Sequence, residues 1–164
     1  MITIEQISMK FSMDMGSPIP KIISTDNKLV LLFNVDIFDG PNITDKIHEL
    51  SNENGACTAI IKFNKSVIHK FGSPNDEVII GHPYYNMGLR AYSFWKVNDS
   101  DWKKEIIRIN AHHPYFNENS FDSMNHYILT FKDNTFECLA ESYDLEYSYN
   151  SLDSVIQQIA REIV

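Results

Sequence analysis

The chain has 164 residues, 43% of them hydrophobic, 12% aromatic and 22% charged. That balance belongs to a folded protein able to bury a core without disulfides or a structural metal, and it is too apolar for a disordered chain. Twenty-two acidic residues stand against 14 basic ones, a formal net charge of -8, which opposes nucleic acid and an anionic membrane surface and either steers a basic partner or, as in many soluble proteins, serves solubility alone.

Met1 to Gln6 lack a basic region followed by a long apolar run, and no apolar stretch approaches the roughly 20 residues that span a bilayer. Cys57 and Cys138 lie far apart, so no disulfide framework is indicated and the expected compartment is the cytoplasm. With no internal repeat and no Pro/Gly/Ser linker, residues 1–164 read as a single α+β domain.

Residues 2 to 13 have strand character, and Gly16-Ser17-Pro18-Ile19-Pro20 breaks the pattern. Lys28 to Phe38 contains the continuous run Leu29-Val30-Leu31-Leu32-Phe33, which suggests a central strand buried on both faces. Thr44 to Leu50 is a candidate short helix, and Ala56 to Phe63 and Tyr92 to Val97 are candidate strands.

From about Ser100 to His112 the spacing of Trp102, Ile106 and Ile109, joined by Ile107, predicts a helix capped by Asp99 or Ser100 and stopped by Pro114. Leu152, Val155, Ile156, Ile159, Ala160 and Ile163 predict a second helix over 151–163, capped by Asn150 or Ser151. Strands with helices interspersed indicate an α+β fold in which a mostly antiparallel sheet packs with two main helices.

His126 to Cys138 reads as a hairpin. With Asp133-Asn134 as a two-residue loop, Thr130 is expected opposite Glu137 and His126 opposite Glu141. Tyr127, Leu129, Phe131, Phe136, Cys138 and Ala140 then share the core face, and His126, Ile128, Thr130, Lys132, Glu137, Leu139 and Glu141 the other. Cys138 is expected as a buried thiol. Such polar pairs are ordinary in sheets; if Glu137 instead lines a cleft under the loop, burial would raise its affinity for a proton.

That loop runs from Phe71 to Tyr85. Gly72 and Gly81 are placed to take backbone angles closed to other residues, Pro74 and Pro83 stiffen the backbone after each, and between them Asn75, Asp76, Glu77 and His82 offer amide, carboxylate and imidazole groups. Asn75 and Asp76 equally suit capping of the loop's own backbone. A metal site would draw on His82, Asp76 or Glu77 and one of His112, His113 or His126, yet no HExxH, His-x-His or paired CxxC motif is present. No metal and no cofactor is therefore assigned.

At these residues the chain resembles a family of uncharacterised bacterial proteins. The resemblance rests on Phe71-Gly72-x-Pro74-Asn75-Asp76-Glu77, Gly81-His82-Pro83, Gly88-Leu89, the Tyr92 to Trp102 segment and the hairpin ending in Thr135-Phe136-Glu137-Cys138. It covers residues 71 to 141 and implies that loop and hairpin belong to one recurring unit, with no catalytic role carried over. Tyr84-Tyr85 departs from the pattern, where a leucine is expected.

Three function classes fit these features. The first is a small acidic binding module, of the immunity or defence-associated kind, that holds a protein partner through aromatics such as Tyr84, Tyr85, Tyr115 and Phe116. The second is an acid-base or metal-assisted hydrolase using Asp76, Glu77, His82 and Glu137. The third is a nucleotide or small-metabolite binder in which Tyr84 or Tyr85 stacks on a base, though no glycine-rich phosphate loop supports it. The candidate site residues are Asn75, Asp76, Glu77, His82, Tyr84, Tyr85, His126, Thr130 and Glu137. The binding module is the preferred reading.

Overall fold

A computed structural model describes residues 1–9, 11–37 and 57–163. In chain order the strands are β1 (Thr3–Gln6), β2 (Phe11–Met13), β3 (Lys21–Ser24), β4 (Leu29–Ile37), β5 (Cys57–Asn64), β6 (Ile68–Gly72), β7 (Ser93–Asn98), β8 (Asn125–Thr130), β9 (Thr135–Ala140) and β10 (Ser142–Ser148). The helices are α1 (Asp101–Asn110) and α2 (Leu152–Ile163). Among the described residues this is an α+β fold of antiparallel sheets with two α-helices, and no helix is long and apolar enough to cross a membrane. The helix expected over Thr44 to Leu50 lies outside the described residues.

The chain divides into two compact units, one of Met1–Ile7 with Lys65–Ser142 and one of Ser8–Asn64 with Tyr143–Val164. In the second unit the strand order is β10-β5-β4-β2, and β3 also pairs with β4. Leu29 to Phe33 are all buried, as expected of a strand covered on both faces. β4 is long enough to take both short partners: β3 runs along Leu29 to Leu32 and β2 along Val35 to Ile37. Ser151 caps α2 through the Ser154 N–H at 3.4 Å, and Val155 and Ile159 pack on Val30, Leu32 and Ile60. Each such buried aliphatic side chain contributes about 1.5–3 kcal/mol.

In the first unit the order is β1-β7-β8-β9-β6, every neighbouring pair antiparallel. One face carries two apolar clusters. Ile79, Tyr84 and Leu89, from the segment between β6 and β7, pack on Trp95, Val97 and Ile128. Trp102 and Ile106 of α1, with Phe121 and Met124, pack on Leu139. Ile109, expected on the same stripe, is exposed, because the last turn of α1 carries it past this cluster.

The hairpin differs from expectation in register. Thr130 pairs with Thr135, Ile128 with Glu137 and His126 with Leu139, so the turn takes the four residues Phe131 to Asn134, closed by Phe131 N–H donating to the Asn134 carbonyl at 2.8 Å. A two-residue type I′ loop needs positive φ at both central positions, and neither Asp133 nor Asn134 has it. The shift is by two, so the faces keep their expected occupants while the partners change. Glu137 is not opposite Thr130, and Glu141 is not opposite His126 but pairs with Lys65 at 2.6 Å. Cys138 is fully buried and burial pushes its thiol well up, which makes it a core residue.

Candidate functional site

Glu137 lies between the two apolar clusters, directly opposite Lys70 of β6 on one side and Ile128 of β8 on the other. His126 is two residues from Ile128 on the same strand and therefore on the same face, and its Nε2 reaches Glu137 Oε2 at 2.8 Å. His82 is delivered from the opposite direction. It follows the short 3-10 turn Ile79–Gly81, is stiffened by Pro83, and brings Nε2 to 3.7 Å from Glu137 Oε1.

Hydrogen bonding assigns the protons. Ser100 caps α1 by accepting the Lys103 N–H at 3.2 Å, and its hydroxyl, which also bonds the Tyr84 side chain, lies 2.8 Å from His126 Nδ1, while the ionised Glu137 can only accept from Nε2. Nε2 of His126 then carries the ring proton and donates it to Glu137. In His82 the Nδ1 accepts the Tyr84 N–H at 3.2 Å, so this ring also turns an Nε2–H toward the carboxylate.

Burial favours the protonated form of Glu137, but the hydrogen bond from His126, with the His82 imidazole and the Lys70 ammonium nearby, outweighs it and holds the carboxyl below the usual range. This corrects the expectation that burial raises its affinity for a proton: the second imidazole and Lys70 are brought in by the tertiary fold. His126 is only 1% exposed and burial holds it below the ordinary imidazole value, with the Glu137 contact opposing. The stable arrangement is a neutral imidazole donating to an ionised carboxylate. Trp102 and Tyr84 meet the His126 ring edge-on, with centroids at 5.1 and 6.0 Å.

The face of Glu137 away from the sheet opens into a recess of about 470 Å³ bordered by Lys70, His82, Tyr84, Asp101, Trp102, Glu105 and His126. The Lys70 ammonium sits 3.8 Å from the centre of the Trp102 ring. A smaller recess of about 240 Å³ beside Asp99 and Lys104 has its charges spent on each other: Lys104 pairs with Asp99 at 2.7 Å, and Lys103 donates to the Met124 carbonyl at 2.8 Å.

Of the nine candidates, His82, Tyr84, His126 and Glu137 converge on the larger recess. Asn75 instead accepts the Val78 N–H at 3.1 Å, the local capping alternative. Asp76 accepts the Tyr92 hydroxyl at 2.5 Å while its N–H donates to the Lys132 carbonyl, and Glu77 is exposed. Tyr85 lies under the Arg90 guanidinium, and Thr130 is buried and donates to the Arg90 carbonyl at 2.7 Å. Tyr84 is buried in the core rather than displayed as an anchor, and its ring neighbours are His82 and His126. Of the two glycines expected at special angles, Gly72 has a φ of 144° but Gly81 is not in the positive-φ region.

Lys70, Ser100 and Trp102 complete the site, and sequence reasoning did not place them there. Trp102 and Ser100 read as a core residue and a helix cap, which they also are, and no strand was expected at β6. Among the described residues no three His, Cys, Asp or Glu side chains are arranged to hold a metal ion. His112 and His113 lie exposed just past the end of α1. Comparison with protein-family models, curated proteins and solved structures finds no match to this chain.

Proposed function

We propose that this protein is a small cytoplasmic binding module, of the immunity or defence-associated kind, that holds a basic protein partner at the recess over Glu137. The observation that carries the reading is the charge of that recess: Glu137, Asp101 and Glu105 against Lys70, on a chain of net charge -8. Such a surface steers a basic partner and fixes its orientation. The test uses the full chain as bait in lysate of the native host, beside an Asp101→Asn/Glu105→Gln variant. A basic protein retained by the wild type, lost from the variant and released by salt supports the reading; no such protein even at low salt overturns it.

A second reading, an acid-base enzyme reduced to His82 and Glu137, is favoured by one distance. His82 Nε2 and Glu137 Oε1 are 3.7 Å apart, longer than a hydrogen bond, at the wall of the recess. A substrate hydroxyl there would meet a donor and an acceptor together. It ranks second because a carboxylate held below its usual range is a weak base. Turnover of a host metabolite by the wild type, abolished in Glu137→Gln, would put it first.

A further inference from the structure

We propose that the recess takes an organic cation, a guanidinium group above all, against the face of Trp102, and that Lys70 is a tethered occupant which the ligand displaces. This deepens the partner-binding reading and rests on it, since it assumes that the recess is the working surface.

The indole face attracts positive charge through its quadrupole, and the Lys70 ammonium at 3.8 Å from the ring centre already uses it. The ring is held firmly, being buried to all but 7% and packed against Phe121, Met124 and Leu139. Lys70 is the mobile member, an exposed side chain with a flexible four-carbon stem on the edge strand β6. Asp101 and Glu105, one helical turn apart, flank Trp102 on the rim, and Glu137 lies opposite Lys70 beneath.

Charge decides between cation and anion. An anion here faces three carboxylates and finds one ammonium, and the imidazole N–H groups of His82 and His126 are already turned to Glu137. A cation finds the three carboxylates and an aromatic face once Lys70 moves aside. Guanidinium is favoured over a second ammonium because it is planar, stacks on aromatic rings and is more weakly hydrated. Its source is either an arginine side chain of a basic protein or a free small molecule, and the chemistry of the recess is the same for both.

The test titrates the protein with agmatine and with an Arg-Gly repeat peptide, reading tryptophan fluorescence and heat, and uses acetate as the anionic control. Removing the tethered competitor in Lys70→Gln is expected to tighten agmatine binding about tenfold over wild type. Lys70→Arg, which keeps a cation on the ring, is expected to bind agmatine no better than wild type. Asp101→Asn/Glu105→Gln is expected to weaken binding about fivefold. A peptide that binds much more tightly than agmatine marks a protein source, and equal affinities a free ligand. If Lys70→Gln keeps its circular dichroism and gains nothing, or if acetate binds better than agmatine, the inference falls. Should a basic partner still depend on Asp101 and Glu105 in that case, the partner-binding reading survives alone. If agmatine shows the expected order while no basic partner depends on the recess, the cation site stands and the partner reading falls.

Discussion

His126 of β8 and Glu137 of β9 meet on the diagonal of their hairpin, Nε2 to Oε2 at 2.8 Å, while the residues directly opposite them are Leu139 and Ile128. This contact ties the N-cap of α1, through Ser100, to the largely buried carboxylate of Glu137. A carboxylate between two apolar clusters persists as an ion only because N–H groups and an ammonium surround it.

Breaking that contact from either side is expected to be costly. His126→Gln and Glu137→Gln should each lower stability by about 2–3 kcal/mol, because the remaining partner is left buried and poorly bonded. The double variant should fall short of the sum by about 1–2 kcal/mol. Urea unfolding of the four proteins measures both terms; additive losses would mean that the two side chains act independently.

Acid is expected to destabilise the protein in two stages. His126 has a folded pKa below its unfolded value, so the unfolded state binds the extra proton and stability falls as pH drops below about 6.5. Glu137 also has a lowered folded pKa, so its contribution is present above the ordinary glutamate value and is lost as pH falls below about 4.3 toward the depressed one. Denaturation midpoints from neutral pH to about pH 4 should trace both stages. His126→Gln should flatten the first and leave acid sensitivity in the second.

Ser100 has two duties, and its loss should be seen in two readouts. Ser100→Ala is expected to cost about 1–2 kcal/mol through the helix cap and the hydrogen bond to His126. It should also leave His126 Nδ1 without a donor, so the imidazole nitrogen chemical shifts, which report the Nε2–H tautomer in the wild type, should show that tautomer less well defined. A stability loss with unchanged shifts would make Ser100 a cap only.

The Asp76–Tyr92 hydrogen bond pins the loop at the hairpin turn, together with the Asp76 N–H to Lys132 and Thr135 donating to the Pro74 carbonyl. That bond, burial and the charges of Asp76 and Asp133 raise the Tyr92 hydroxyl to about 12. The stabilisation is therefore present below the ordinary tyrosine value near 10 and lost as pH rises toward about 12. Tyr92→Phe should cost about 1 kcal/mol and speed hydrogen exchange at the Asp76 amide. It should also remove a late-titrating tyrosine from an alkaline absorbance scan.

Elements governed by local pattern were legible in the chain. The unbroken apolar run at Leu29 to Phe33 marked a strand covered on both faces, and the repeat from Leu152 to Ile163 marked an amphipathic helix, because burial must match the period of the backbone. The hairpin faces could be read for the same reason. Its partners could not, since a shift of two residues keeps every side chain on its face and only the turn geometry chooses between registers. The site was half visible: polar residues in an apolar setting pointed to His82, His126 and Glu137. Lys70, Ser100 and Trp102 looked like an ordinary lysine, a cap and a core residue, and only the pairing of β6 with β9 and the packing of α1 bring them beside Glu137. The ionisation of Glu137 was decided there too. Burial alone would protonate it, and it is the convergence of two imidazoles and an ammonium from distant parts of the chain that keeps it charged.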